Sequence, residues 1–153
     1  MNGGLRSFDL EDRLIRFSAS IIDVVEQLPD GKVGGHIAGQ LLRGGTASAP
    51  NYAEALGAES RRDFVHKLKV GLKELRETAV WLSLIEQKQL VPVGAALHGV
   101  RSECHELTAI FVASIATAQR NMISRGEGRR EYRPERKGLE NIEQGARNVQ
   151  GGE

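Results

Sequence analysis

Three polar side chains recur at every third residue within an apolar segment: Ser48, Asn51 and Glu54. Side chains with this spacing share one side of a helix, where a hydroxyl, an amide and a carboxylate could bind a polar ligand or a neighbouring subunit. Pro50 removes one backbone hydrogen bond from that helix, so the sequence predicts a kink and a free backbone acceptor. The alternative is a buried structural network that satisfies the kink and closes on Arg43. We favour this alternative because buried polar groups need partners.

Two further groups of side chains could bind a metal ion or transfer protons. Asp63 and His66 have Asp-x-x-His spacing, but this pair occurs once and Asp63 is accounted for as part of a helix cap. Glu103, His105 and Glu106 lie on one helical segment with no facing set. Carboxylate-bridged metal sites in helical bundles draw ligands from four helices. The sequence therefore predicts no metal, no cofactor and no catalytic residue, and a metal-dependent enzyme is the third of our hypotheses.

The chain has one cysteine, Cys104, which excludes an internal disulfide and a zinc finger built on several thiolates. It lies at a seam position of its helical segment, so we expect a small apolar core residue. The first twenty residues carry charges every few positions, and no run approaches the roughly 20 apolar residues that cross a bilayer. These features predict a cytoplasmic protein with no membrane contact.

Beyond Met122 apolar residues almost vanish and basic residues cluster. Such a cluster could contact nucleic-acid phosphates, and Tyr132 could stack on a base. The alternative, which we favour, is a solvated terminus of mixed charge, because three glutamates are interspersed. The candidate nucleic-acid-binding residues are Arg125, Arg129, Arg130, Arg133, Arg136 and Lys137.

The elements that must position these residues are helices. The chain has 153 residues, 40% of them apolar, with a net charge of +1, which suits one domain. Apolar residues recur at steps of three and four in four segments, and no strand pattern occurs. The sequence predicts an all-α, antiparallel up-down-up-down four-helix bundle over residues 8–124, a flexible N-terminus over 1–7 and a mobile charged tail over 125–153.

Local signals divide the segments from one another. Gly57 is placed to end the second helix, Ser60 to cap the third and Pro92 to occupy the first turn of the fourth. Five glycines weaken the second helix, so packing must stabilise it, and small residues there allow a neighbouring backbone to come close. Residues 1–124 hold 14 basic and 14 acidic side chains. This balance argues against nucleic-acid binding by the bundle as a whole.

The stretches Gln40-Leu-Leu-Arg43, Ala47 to Ala55 and Ser60 to Phe64 resemble a known family. It is the family of bacterial four-helix bundle proteins first noticed as reading frames in intervening sequences of large-subunit ribosomal RNA genes. That family has an Arg, a run ending in Ser-x-x-Asn-x-x-Glu, and a capped third helix with Phe, Leu and a Leu-x-Glu pair. The resemblance covers residues 8–122, and the matching positions are Arg43, Ser48, Asn51, Glu54, Phe64, Leu68, Leu75 and Glu77.

The resemblance implies a left-handed bundle that forms a homopentamer without catalytic residues. It also implies a relative, the accessory variability determinant of diversity-generating retroelements, which works with a reverse transcriptase and RNA. Our first hypothesis is accordingly a non-enzymatic homo-oligomeric scaffold or accessory protein, with a nucleic acid or a reverse transcriptase as partner. The second is an RNA- or DNA-binding module that uses the basic tail.

Overall fold

The computed structural model describes residues 5–127, with side chains from Leu10 onward. This part of the chain contains helices and turns but no strand, which confirms the predicted all-α fold. Residues 125–127 form a turn, and the rest of the predicted mobile tail lies outside the described residues, as do residues 1–4. The helices are α1 (Leu5–Glu26), α2 (Lys32–Leu56), α3 (Arg61–Gln87) and α4 (Ala95–Ser124).

The chain divides into two units after Arg120, four residues before α4 ends. The first unit holds α1, α2, α3 and most of α4, and the packing described below belongs to it. No helix in residues 5–127 combines the length and the apolar character that a membrane crossing requires.

The four helices pack as a bundle in which α1 and α3 occupy diagonal positions. Backbone atoms of α2 come within 8 Å, Cα to Cα, of both α1 and α3. α4 closes the other side, because Arg13 of α1 binds Glu103 and the Cys104 thiol donates a hydrogen bond to the carbonyl oxygen of Leu75 in α3. Chain order therefore equals the order around the bundle, as an up-down-up-down arrangement requires.

Apolar residues at steps of three and four form the core. In α1, Leu14, Phe17 and Ile21 are buried, and Leu75 of α3 is fully buried with them. From Leu97 to Phe111 the buried residues of α4 alternate steps of three and four, but the next buried residue is Ile115 and not Ser114. The seam shifts by one position because a straight helix of 3.6 residues per turn drifts from a strict seven-residue repeat.

Two glycines explain the close approach of α2 to its neighbours. A Cβ atom at Gly45 would lie 2.6 Å from Cγ2 of Ile21 in α1, and one at Gly44 would lie 3.1 Å from Oγ1 of Thr78 in α3. The first distance is far below van der Waals contact, so α1 can occupy its place only beside a residue without a side chain. The predicted role of small residues in α2 is thus confirmed at these positions.

Turn residues separate the helices largely as the sequence predicts. The Ser60 hydroxyl accepts a hydrogen bond from the Asp63 amide at 3.1 Å, which confirms the cap of α3, and Gly57 follows the last residue of α2. The prediction for Pro92 is wrong, because α4 begins at Ala95 and Pro92 lies in the preceding loop. Val91 in this loop is buried in the core.

Candidate functional site

Arg43 extends from α2 towards two carboxylates of α3. Its Nη2 donates hydrogen bonds to Oε1 of Glu77 at 2.7 Å and to Oε1 of Gln40 at 3.1 Å. Its Nη1 lies 3.6 Å from Oε2 of Glu74, an ion-pair distance rather than a hydrogen bond. The Arg43 side chain is 57% exposed and that of Glu74 only 12%, so this cluster lies at the α2–α3 surface with Glu74 at its buried edge.

The middle of the predicted polar stripe is structural. Ser48 is fully buried, and its Oγ has no hydrogen-bond partner among the described residues. Asn51 is half-buried and donates from Nδ2 to the carbonyl oxygen of Ala47 at 2.8 Å. That carbonyl is adjacent to the one that Pro50 leaves without its helical donor, so Asn51 supports the backbone at the proline.

Glu54 lies at the exposed end of the stripe. Its carboxylate accepts a hydrogen bond from Nζ of Lys67 in α3 at 2.5 Å, which raises the pKa of the Lys67 ammonium. Both side chains are solvent-accessible, so this pair contributes little to the free energy of folding.

The four residues of the stripe do not form the single network that the sequence suggested. No hydrogen bond or ion pair within residues 10–127 joins any two of Arg43, Ser48, Asn51 and Glu54. Instead, Arg43 and Glu54 bind α3 at two separate points of the surface, and Asn51 binds its own helix. Close helix packing at Gly44 and Gly45 leaves no room for a polar network between the two ends.

Both acidic side chains of α4, Glu103 and Glu106, bind Arg13 of α1. Arg13 donates from Nε and Nη2 to the two carboxylate oxygens of Glu103, at 2.5 and 2.8 Å, and Nη2 also binds Glu106. These bonds hold the pKa of the guanidinium above its ordinary value. Glu103 therefore joins α4 to α1.

The remaining candidates for chemistry are divided between the core, a helix cap and the exposed surface. Burial raises the pKa of the Cys104 thiol to about 12, so the sulfur stays protonated near neutral pH, as expected of a core cysteine. Asp63 contributes its amide to the cap of α3, and His66 and His105 are exposed. In the part of the chain that the structure describes, no three His, Cys, Asp or Glu side chains gather as a metal site would need.

A basic surface on α3 was missed at the sequence level. His66, Lys69, Lys73 and Arg76 are exposed and recur at steps of three and four. A hollow of about 370 Å³ lies beside the last three, with Leu72 and Ile115 in its wall. No carboxylate within the described residues pairs with these three cations. The spacing of these four residues can be read from the sequence. The equal totals of acidic and basic side chains in residues 1–124 do not show that the basic ones share one side of α3.

An apolar surface lies where α1 and α2 adjoin. Ile15 and Ile22 of α1 are 54% and 41% exposed, and Leu42 and Leu56 of α2 are 42% and 49% exposed. The contact of Ile21 with Gly45 places α1 and α2 side by side, and Ile15 and Ile22 share one side of α1 because they lie seven residues apart. We call these four residues the α1–α2 apolar face.

The tail prediction concerns mainly residues outside the described range. Arg125 is exposed in the turn after α4. Arg129, Arg130, Arg133, Arg136 and Lys137 lie outside the described residues.

Comparison with known proteins identifies a structural neighbour. The chain is similar to a Bacteroides thetaiotaomicron protein of unknown function from the S23 ribosomal protein family, whose crystal structure matches with a TM-score of 0.64 and 27% sequence identity. The match covers 69% of this chain and 97% of the neighbour. No protein-family model matches the sequence, and no curated protein matches it.

Proposed function

We propose that this protein is a non-enzymatic, homo-oligomeric four-helix bundle that acts as a scaffold or accessory protein. The observation that carries the proposal is the α1–α2 apolar face, defined above. Isolated exposed apolar residues are ordinary on protein surfaces, but four large aliphatic side chains on two adjoining helices are typical of an interaction surface. A second copy of the chain would remove them from water.

The contacts of the candidate catalytic residues support a role without catalysis. Arg13 binds both carboxylates of α4, and the Cys104 thiol is buried and protonated. Glu103, Glu106 and Cys104 are therefore engaged in contacts between helices, and they are not free in a pocket. A general base or a nucleophile would need an accessible lone pair in a pocket.

We further propose membership of the intervening-sequence bundle family and an assembly of five subunits. The order of Arg43, Ser48, Asn51 and Glu54 before the Ser60 cap supports the first, and the structural match over 97% of a bacterial neighbour agrees with it. The subunit number follows from the resemblance alone. As partner we propose a nucleic acid or a reverse transcriptase, and the neighbour's family bears the name of a ribosomal protein.

Sedimentation velocity of the full chain at micromolar concentration tests the oligomer. Replacing Ile15 and Leu42 by serine should shift the assembly towards the monomer, because the exposed apolar area lost is at the proposed contact. The matched control replaces Val93 and Val112, which are exposed to a similar extent, 46% and 42%, and lie off this face. Equal dissociation by both double variants would contradict a specific role for the α1–α2 apolar face.

A second candidate function is nucleic-acid binding by the basic tail, favoured by the cluster that begins at Arg125. Binding of this kind neutralises phosphates, so affinity should fall steeply as salt increases. A labelled RNA or DNA titrated at several salt concentrations, with the full chain and with a chain ending at residue 124, separates the two candidates. Loss of binding on truncation would favour the tail, and retention would place the contacts in the bundle.

A further inference from the structure

A hollow of about 390 Å³ lies between α1 and α4, and we call it the α1–α4 hollow. Arg13 and Glu103 bind each other at one end of it, and Val91 and Pro92 of the loop before α4 line the other end. Its inner lining is apolar and almost fully buried, and consists of Phe17, Val24, Leu97 and Val100. Sites for small ligands have about this volume, with apolar walls and a few polar groups at defined places.

The α1–α4 hollow is empty because the adjoining side of α4 carries very small residues. Ala95, Ala96 and Gly99 line it and are exposed, and a Cβ atom at Gly99 would meet no atom within 4 Å. Gly44 and Gly45 of α2 have the opposite surroundings, since side chains of neighbouring helices fill the space beside them. Protein interiors are close-packed, so this gap between two helices offers room that a ligand can fill without movement of the bundle.

The polar groups of α1 that line the hollow are mainly hydrogen-bond acceptors. Asp23 is exposed, and its carboxylate has no hydrogen bond or ion pair among the described residues. The Ser20 hydroxyl donates its only hydrogen to the carbonyl oxygen of Arg16 at 3.1 Å, so its lone pairs remain available. Gln27 donates from Nε2 to the carbonyl oxygen of Asp23 at 2.8 Å and keeps Oε1 as an acceptor. A ligand that binds along α1 has to supply the donors.

The charges around the hollow favour a cation. Arg13 binds both acidic side chains of α4, and Arg16 binds Asp12, so both cations that line the hollow have carboxylate partners. Two guanidiniums thus meet three carboxylates, and Asp23 adds a fourth, which leaves negative charge in excess. The amino end of α4 also borders the hollow, but its partial charge of about +0.5 offsets only part of that excess.

We propose that the α1–α4 hollow binds a small organic cation, with an apolar body inside the hollow and an ammonium group beside Asp23. Ser20, Asp23 and Gln27 follow one another at steps of three and four, so they share one side of α1 and each offers an acceptor. An ammonium group has three donors and no acceptor, which matches this set. The proposal goes beyond the proposed function, because it needs neither an oligomer nor a macromolecular partner.

Three probes that share a phenylethyl group test the preference for a cation: phenylethylammonium, phenylethanol and phenylpropionate. Saturation-transfer NMR of the full chain at neutral pH measures the affinity of each probe. We expect phenylethylammonium to bind at least about threefold more tightly than the neutral alcohol, since its charge meets an accessible carboxylate. Phenylpropionate should bind most weakly, because its own carboxylate lies near that of Asp23 and finds no unpaired guanidinium.

Two substitutions test the place of binding. Leucine in Gly99→Leu would occupy the empty space and abolish binding of phenylethylammonium, and Gly39→Leu is the matched control, at an exposed glycine of α2 that also has open space. Asp23→Asn should weaken binding of the cation by about three- to fivefold and leave phenylethanol unchanged. Glu26→Gln is its control, because Glu26 is exposed on α1 and does not line the hollow.

Several outcomes would overturn the proposal. These are equal binding of the three probes, tightest binding of phenylpropionate, and no binding of phenylethylammonium at millimolar concentration. Retained binding by Gly99→Leu would do the same, provided that circular dichroism shows a folded chain. If that variant does not fold, Ala96→Leu fills the hollow from a second position of α4, and its effect on binding decides. The mass of the chain in solution is measured separately, so the proposed oligomer can fail while this site stands, and the reverse.

Discussion

Several charged side chains in this protein join one helix to another. Arg13 connects α1 to α4 through Glu103, and Arg43 connects α2 to α3 through Glu77. Arg101 and His98 of α4 both bind Glu86 of α3. Arg13 donates two hydrogen bonds to the Glu103 carboxylate, and such a bidentate pair is stronger than a single exposed ion pair. We therefore expect Arg13 to contribute more to stability than the other cations named here.

We predict that Arg13→Ala lowers the free energy of unfolding by about 1–3 kcal/mol, because the half-buried carboxylate of Glu103 then loses two charge-assisted hydrogen bonds and the contact with α1. Arg16→Ala is the matched control, since Arg16 is exposed and binds only Asp12 through a helical pair, so its loss should cost less than about 0.5 kcal/mol. Urea denaturation measures both. Equal effects of the two substitutions would show that the contact with α4 is not stabilising.

Burial of the Cys104 thiol predicts that the free energy of unfolding falls at high pH. The folded pKa is raised to about 12, against about 8.5 in an unfolded chain, because burial disfavours the thiolate. The thiol therefore favours the folded state fully below about pH 8.5, and this contribution is lost as pH rises towards 12. Cys104→Ala should have a flatter decline in stability above pH 9, measured by denaturation at several pH values. Rapid reaction of the native thiol with a disulfide reagent at pH 7.5 would contradict its burial.

Substitution of Ser48 by alanine and substitution of Asn51 by alanine should change the stability of the protein differently. Ser48→Ala should leave stability unchanged or raise it slightly, since its buried Oγ has no partner in the described chain. Asn51→Ala should lower the free energy of unfolding by about 1 kcal/mol, because the bond to Ala47 supports the helix beside Pro50. Thermal melting compares the two. A larger loss for Ser48→Ala would mean that its hydroxyl has a partner in the assembled protein.

At the scale of the helices, α2 determines how closely the bundle packs. Gly45 lies under Ile21 and Gly44 under Thr78, so two positions that weaken the isolated helix allow its closest contacts. Gly39 has open space around a would-be Cβ atom. The absence of a side chain is therefore needed for packing at Gly44 and Gly45, whereas at Gly39 it only weakens the helix.

We predict that Gly45→Ala destabilises the bundle and Gly39→Ala stabilises it. A Cβ at position 45 would lie 2.6 Å from Ile21, and such overpacking costs about 1–3 kcal/mol, more than the gain in helix propensity. At position 39 only the propensity gain of up to about 1 kcal/mol remains. The melting temperatures of the two variants show whether each substitution stabilises or destabilises the protein. A higher melting temperature for Gly45→Ala would disprove the close contact between Ile21 and Gly45.

The helices themselves could be predicted from sequence, but their contacts could not. Periodic apolar residues gave the four segments, and Ser60 with Asp63 gave the start of α3, because these signals are local. The bond between Arg13 and Glu103 joins residues that are 90 positions apart, and its formation depends on how α1 and α4 rotate in the bundle. For the same reason the sequence grouped Arg43 with Glu54, although each binds a different part of α3.

At the scale of the whole molecule, the distribution of charge matters more than its total. The bundle region has equal numbers of acidic and basic side chains, yet unpaired cations lie along α3 and exposed carboxylates along α1. A balanced chain with separated faces can bind copies of itself, whereas a uniformly basic chain would repel them. Apolar residues on α1 and α2 add the area that a lasting contact needs.

Native mass spectrometry of the full chain at micromolar concentration shows whether the protein assembles with itself. We expect a closed species with a mass that is a multiple of 16.7 kDa, and five subunits is the number implied by the family resemblance. We also expect that no larger species accumulates as concentration rises, because a ring leaves no free contact. A monomer of 16.7 kDa as the dominant species across the micromolar range would contradict self-assembly.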